Sequence, residues 1–297
     1  MYRAILVPLD GSPFGEHALP LALRAARLSD ATLHLVHVYD TAQRPPDPLL
    51  RAIPPERAYL DGIADQLRTL WPGRIETDLL GGAVSETIAA YAESHGVDLV
   101  VMTTHGRGTL SRAWLGSVAD QLVRQLPMPM FLVRPHETDP AESASPPRID
   151  HILIPLDGSD WSASIVAPAT TLGRLTAARY TLVQTIEIIT PAEAFGTYAL
   201  SDRDIDAWIQ ESQQYLDRIA SGLRVEGLHV QTEVLIGSPA ITLLNYARDH
   251  AVDLLALATH GRSGAARLFL GSVADKLVRG AGVPVLLQRP HPAPRPV

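Results

Sequence analysis

The sequence predicts an α/β protein made of two tandem doubly wound domains, each an open five-stranded parallel sheet flanked by helices. Three observations predict this. Thr104–Pro135, THGRGTLSRAWLGSVADQLVRQLPMPMFLVRP, recurs 155 positions later at Thr259–Pro290 as THGRSGAARLFLGSVADKLVRGAGVPVLLQRP, with 18 of 32 positions identical and no gap. Ile5–Ser12, ILVPLDGS, recurs 147 positions later at Ile152–Ser159 as ILIPLDGS. Within each copy, short apolar runs alternate with stretches at helical spacing, the pattern of parallel strands joined by crossover helices. The domains expected are 1–137 and 148–291, and the polar, Pro-rich His136–Pro147 reads as their linker.

In the first copy, Ala4–Leu9 is a continuous apolar run, as a strand buried on both faces requires. Ser12-Pro13 opens a helix over Gly15–Leu28. Thr32–Tyr39 (TLHLVHVY) is rich in β-branched residues and alternates, so it is the second strand. After the Pro-rich Arg44–Pro55, a helix is expected over Glu56–Leu70, then a third strand at Ile75–Leu80. Gly81-Gly82 turns that strand into a helix, Val84–His95. Val97–Thr103 is the fourth strand, Gly106 and Gly108 lie in the loop after it, Gly116-Ser117 starts a helix reaching Gln125, and Met128–Val133 is the fifth strand.

The second copy repeats the order. Strands are expected at Ile152–Leu156, Tyr180–Ile186, Val230–Leu235, Val252–Leu257 and Val283–Leu287. Helices are expected near Ser162–Leu175 and at Asp204–Leu223, Pro239–His250 and Gly271–Arg279.

Composition bounds the function. The 297 residues suit two domains of ordinary size, and 46% hydrophobic residues allow each a core. A net charge of −7 with no basic tract argues against a nucleic-acid partner. The absence of Cys removes disulfides, thiolate catalysis and Cys-based metal sites. No apolar run reaches the length of a membrane span, and MYRAILVPLDGS lacks the features of a signal peptide. A cytoplasmic protein with no membrane partner is the expectation.

In open parallel sheets, ligands bind outside the carboxyl ends of the strands. Asp10 and Asp157 end the first strand of each copy and precede Gly-Ser. Taken alone, each reads first as a turn-forming or helix-capping residue. Beside the second motif, the reading as a carboxylate facing a ligand takes precedence. That motif is Thr-His-Gly-Arg, with nine residues between Gly106 and Gly116 followed by Ser117, and its twin runs Gly261, nine residues, Gly271, Ser272. A glycine loop lets backbone N–H groups approach an anion, and a helix N-terminus adds its positive dipole end. Neither a GxxxxGK[ST] phosphate loop nor a dinucleotide GxGxxG is present.

These residues give the chain its resemblance to tandem universal stress proteins of the ATP-binding subgroup, whose fold is that of the adenine nucleotide alpha hydrolases. VPLDGS and IPLDGS at the first strands, and THGR…LGSVAD…LVR after the fourth, carry it over nearly the whole chain. Nucleotide-binding members show Gly, two residues, Gly, nine residues, Gly, then Ser or Thr. This sequence matches at Gly106, Gly116 and Ser117 and at Gly261, Gly271 and Ser272, but has Thr103 and Ala258 in place of the first glycine.

The resemblance implies roles. Asp10 and Asp157 would bond the adenine, with backbone help from Val38 and Ile186 and a wall shaped by Pro8 and Pro155. The loops at Thr103–Gly106 and Ala258–Gly261 would contact ribose and phosphate. Gly116, Ser117 and Val118, and Gly271, Ser272 and Val273, would hold the phosphates, with Mg²⁺ bridging them. His105 and His260 fit loop orientation or a phosphate contact better than acid–base catalysis. Arg107 and Arg262 fit either phosphate pairing or a solvated loop charge. Arg112, Arg267, Arg124 and Arg279 read as surface salt bridges. No dedicated metal site is expected from the remaining His.

The resemblance further implies that the fifth strands pair, so that the two halves form an intramolecular pseudo-dimer. The activity implied is ATP-dependent regulation or sensing in the stress response without fast catalysis, with slow ATP hydrolysis as the most an enzyme reading allows. The rival is a member that has lost nucleotide and acts through protein contacts, which Thr103 and Ala258 support. The partners implied are an adenine nucleotide, a protein the sequence does not name, and a second copy of the chain in a homodimer.

Overall fold

A computed structural model describes residues 1–41, 55–104, 115–134, 148–188, 202–259 and 270–289. These form two compact units, one running from Met1 to Arg148 together with the strand nearest the C-terminus, the other from Ile149 to Val283.

In the first unit, β1 (Ala4–Pro8) leads to α1 (Pro13–Glu16) and α2 (Leu19–Ser29), then β2 (Thr32–Tyr39), α3 (Pro55–Leu70), β3 (Ile75–Gly81), α4 (Val84–Ser94), β4 (Leu99–Thr103), α5 (Ser117–Gln125) and β5 (Met130–Val133). In the second, β6 (His151–Pro155) is followed by α6 (Asp160–Ala163), α7 (Val166–Arg174), β7 (Arg179–Ile186), α8 (Asp202–Val225), β8 (Val230–Ile236), α9 (Pro239–Asp249), β9 (Leu254–Ala258) and α10 (Ser272–Gly280). The last strand, β10 (Val285–Gln288), lies with the first unit.

The first helix of each repeat is two helices rather than the one expected. The helix is interrupted at His17-Ala18 and at Ser164-Ile165 before the second piece begins. Pro20 and Pro168 supply the reason. A proline ring collides with the carbonyl four residues back and has no N–H to give, so it is tolerated only in the first turn of a helix.

The strand order in the first unit is β3-β2-β1-β4-β5-β10, and in the second β9-β6-β7-β8. The pairings among β1–β5 and among β6–β9 are parallel, so the carboxyl ends of these strands lie at one edge of each sheet. The order reverses on either side of β1 and of β6, which opens a crevice where their carboxyl ends diverge from those of β4 and β9. β10 runs antiparallel to β5, Val285 opposite Leu132 and Leu287 opposite Met130, so the fifth strands pair as expected. The pairing covers a β5 edge that would otherwise expose unpaired backbone groups.

The central strands are apolar throughout because both faces are covered. Ile5, Leu6, Leu33, Leu35, Leu99 and Val100 have no more than trace exposure, and Ile152, Leu153, Leu182 and Leu254 match them in the second unit. Each such side chain stabilises the fold by roughly 1.5–3 kcal/mol. This buried scaffold fixes where the strand ends emerge.

Candidate functional site

Each β1-type strand ends on a proline and passes into an Asp-Gly-Ser turn. The N–H of Leu9 donates to the Val36 carbonyl, and that of Leu156 to the Val183 carbonyl, both at 2.8 Å, holding the turn against the neighbouring strand. Gly11 and Gly158 adopt φ of 77° and 86°, the left-handed region that favours glycine.

Asp10 Oδ1 accepts from the Ser12 N–H at 3.0 Å and from Ser12 Oγ at 2.7 Å. Asp157 Oδ1 does the same with Ser159, at 3.0 and 2.6 Å. Ser12 and Ser159 in turn cap α1 and α6, accepting from the N–H groups of Gly15 and Ser162. The turn-forming role weighed for these carboxylates is therefore present. It does not use up the group, since a carboxylate offers about four lone-pair sites. The turn instead locks each carboxylate at the mouth of the crevice.

The second motif lies beside it. Thr103 and Ala258 are the last residues of β4 and β9. Gly116 donates its N–H to the Thr104 carbonyl, and Gly271 to the Thr259 carbonyl, both at 2.8 Å, which closes the neck of each glycine loop. Gly116 and Gly271 are the N-caps of α5 and α10 and offer no side chain to the first-turn N–H groups. Ser117 and Ser272 follow, both exposed. Uncapped N–H groups, a helix dipole and a reachable hydroxyl make a start that favours an anion. His105, Gly106, Arg107, Arg112, His260, Gly261, Arg262 and Arg267 lie outside the described residues.

In the second unit these parts line a half-open cavity of about 310 Å³. Pro155, Leu156 and Asp157 come from the β6 end, Leu257, Ala258 and Thr259 from the β9 end, and Gly271, Ser272 and Val273 from the start of α10. Pro239 and Leu243 of α9 close another side. Six of the site residues expected in this half thus share one wall system: Pro155, Asp157, Ala258, Gly271, Ser272 and Val273. Among the described residues lining it, Asp157 is the single titratable group.

Ile186 does not line the cavity. It is buried, and its carbonyl accepts from the Gly237 N–H at 2.9 Å. Its counterpart is Tyr39, whose carbonyl accepts from Gly82 in the same way, rather than Val38. The strand register decides this: Val38 lies opposite Leu80 and Thr185 opposite Leu235. Thr185 and Val183 are the β7 residues at the cavity, and sequence reasoning missed both. The signal was present in Leu35-Val36 and Leu182-Val183, which are 147 positions apart like the LDGS turns. Ser162 was missed as well. It lines the cavity, and its Oγ accepts from the Asp157 N–H at 3.2 Å.

In the first unit the corresponding residues stand at the same edge. Pro8 ends β1, Val38 is the next-to-last residue of β2, and Thr103 pairs with Val133 and is buried. Gly116, Ser117 and Val118 begin α5. Where the second unit has Ser162, the first has Gly15, and a Cβ there would stand 2.8 Å from Asp10 Oδ1. Arg124 and Arg279 are ion-paired on their own helices with Asp120 and Asp275, each at 2.7 Å, as a surface role requires.

The family model for the universal stress protein family matches residues 1–134 and again 148–289. The chain belongs to the universal stress protein family. Relatives of similar length include universal stress proteins of Mycolicibacterium smegmatis (26% identity, 97% of this chain and 97% of that one) and Mycobacterium tuberculosis (26%, 96% and 94%). Another, from Methanocaldococcus jannaschii, is 29% identical over 46% of this chain and 79% of its own. A second Mycobacterium tuberculosis member is 28% identical, with the match spanning 66% of this chain and 63% of that one. Among solved structures, a functionally unknown protein of Pseudomonas aeruginosa superposes with a TM-score of 0.70 at 19% identity, over 97% of this chain and 93% of that one. A universal stress protein of Archaeoglobus fulgidus gives 0.64 at 16%, over 96% and 98%. Both show the tandem α/β fold.

Among the described residues no helix is long and apolar enough to cross a membrane, and no cluster of three or more His, Cys, Asp or Glu could hold a metal ion.

Proposed function

We propose that this universal stress protein binds adenine nucleotide at the strand-end crevices and uses it as a signal rather than as fuel. The observation that carries the reading is the second-unit cavity, which gathers a turn-locked carboxylate, apolar walls and an uncapped helix start. The base would lie between Pro155, Leu257 and Leu243 with its amine toward Asp157. The phosphates would lie at Gly271, Ser272 and Val273. Mg²⁺ fits as an ion carried on the phosphates, with the Ser272 hydroxyl as the protein's contact, since no carboxylate cluster stands ready for it among the described residues. Bound there, it would neutralise phosphate charge. In the first unit Pro8, Asp10, Val38, Gly116, Ser117 and Val118 would do the same work.

The residues describe binding better than turnover. Asp157 is the one titratable group among the described lining residues, and it is already tied into its turn. Its roles are to orient and to accept a hydrogen bond. ATP hydrolysis, if it occurs, should be slow. A second reading, in which the first half has lost nucleotide, is favoured by Thr103, whose β-branched side chain stands where a small residue would let a ribose lie against backbone.

The test is the nucleotide content of the protein as purified, read by mass spectrometry after denaturation, followed by calorimetric titration with ATP and GTP. ATP is expected to bind and GTP to bind more weakly, because GTP carries a carbonyl where ATP carries the amine. No binding of either would overturn the reading.

A further inference from the structure

Thr185 stands on β7 at the wall of the second-unit cavity. Its Oγ1 is sealed from solvent and has no hydrogen-bond partner among the described residues. A buried hydroxyl without a partner lowers stability, because the water it gave up on folding is not replaced.

The fold does not demand this hydroxyl. The same register position in the first unit is Val38. Valine and threonine have nearly the same shape, and they differ in one methyl against one hydroxyl. The strand therefore needs a β-branched residue here, and the oxygen is surplus to packing.

We propose that the Thr185 hydroxyl is a ligand contact that hydrogen-bonds a polar edge of a purine-type base held in the second cavity. It makes that half selective for a base presenting a donor or acceptor toward β7. The first half, with Val38, offers only an apolar wall there. The inference rests on the reading of the crevice as a nucleotide site. Threonine moves its hydroxyl between staggered positions by a single step of about 120° in χ1. Thr185 lines the cavity, and such a step would let its hydroxyl meet a bound base, which would supply the missing partner. Asp157 and Thr185 belong to different strands lining the same cavity. Two polar contacts on different walls fix a flat ring in its plane, whereas one leaves it free to pivot.

The experiment uses the full chain with the first site blocked by Gly116→Val. Calorimetry with ATP is compared for this background and for the same protein carrying Thr185→Val, and thermal unfolding is followed without nucleotide. Thr185→Val is expected to weaken ATP by about tenfold, the worth of one neutral hydrogen bond. It should leave the unfolding temperature unchanged or raised, because it removes an unsatisfied hydroxyl. Thr185→Ser should keep affinity within about threefold. Equal affinity in Thr185→Val overturns the proposal and leaves the nucleotide reading standing. A background that binds no ATP overturns that reading and this inference with it. A marked fall in the unfolding temperature of Thr185→Val shows that the hydroxyl serves the fold, and also overturns the proposal.

Discussion

Replacing Asp157 by Asn separates its two duties. The Asp157 side chain holds its turn through Oδ1, which accepts at 3.0 Å from the Ser159 N–H and at 2.6 Å from Ser159 Oγ. An asparagine carbonyl oxygen can make both bonds. The fold of Asp157→Asn should therefore survive, losing only the charge assistance, about 0.5–1 kcal/mol. Its other terminal atom becomes an NH₂, which in the proposed complex would face the adenine amine, so donor would meet donor. Losing a charged acceptor against a ligand donor costs about 1.5–3 kcal/mol, or roughly ten- to a hundredfold in Kd. Asp157→Ala loses both duties: the same affinity and, with two turn bonds gone, about 2 kcal/mol of stability. In a domain of this size that is a fall of about 4–8 °C in Tm. Differential scanning calorimetry without nucleotide and titration with ATP, in a Gly116→Val background, read the two effects apart. Asp157→Asn binding ATP as tightly as the parent would refute the assignment of this carboxylate to the base. Asp157→Ala losing affinity while Asp157→Asn keeps it would show that the turn, and not the carboxylate, is what the ligand needs.

The other predictions concern the differences between the halves. Thr103→Gly should strengthen ATP at the first site while Ala258→Gly changes the second little, because the β-branched side chain is the larger obstacle to close backbone approach; titration of each half with the other blocked by Gly116→Val or Gly271→Val checks this, and a tighter first site in the parent would contradict it. Burial holds His34 below the ordinary histidine range, against the opposing pull of Glu76 and Asp78, and burial together with Arg179 does the same for His151. Both are then neutral in the fold, and the unfolded chain takes up protons first as pH falls below about 6.5. Stability should hold above that pH and decline below it by up to about 1.4 kcal/mol per pH unit for each histidine. Denaturant titrations at pH 7.5 and 5.5 should show the decline shrink in His34→Gln, and an unchanged difference would count against the argument. Gly173→Ala would set a Cβ 2.2 Å from the Tyr180 hydroxyl and 2.8 Å from Ile152 Cδ1, so a loss of about 1–3 kcal/mol is expected in chemical denaturation.

Much of the fold was legible because periodicity and turn chemistry agree. The apolar runs around Ile5 and Ile152 and the glycines at the loop necks located the strand ends, and the repeats located them twice. The helix breaks before α2 and α7 were missed because alanine and leucine spacing continues through them. Only the proline at Pro20 or Pro168 signals a restart, and its effect lies on the carbonyl four residues earlier rather than at its own position. The gathering of Asp157, Gly271 and Ser272 around one cavity was readable because glycine turns at strand ends have few possible placements. Thr185 was not, since a threonine in a β-branched strand resembles any other sheet residue. Its distinction depends on register, and a slip of one residue along a strand exchanges the two faces.

The two halves also serve as controls for each other. Where Gly173 meets Tyr180 in the second unit, the first unit has Ala26 and Leu33 at the same repeat positions, all four fully or almost fully buried. A smaller residue on the helix accompanies a larger one on the strand, so total volume is conserved and the core is indifferent to the exchange. The same comparison predicts that Tyr180→Leu should recover part of the stability lost in Gly173→Ala. Three differences at the crevice show no such compensation. Val38 against Thr185 adds a hydroxyl with no partner among the described residues, Thr103 against Ala258 changes bulk at a strand end, and Gly15 against Ser162 changes what touches the adjoining aspartate turn. All three lie at the strand-end crevice read above as the nucleotide site. Uncompensated differences at the crevice, beside compensated ones in the core, are what two sites tuned to different affinities would produce.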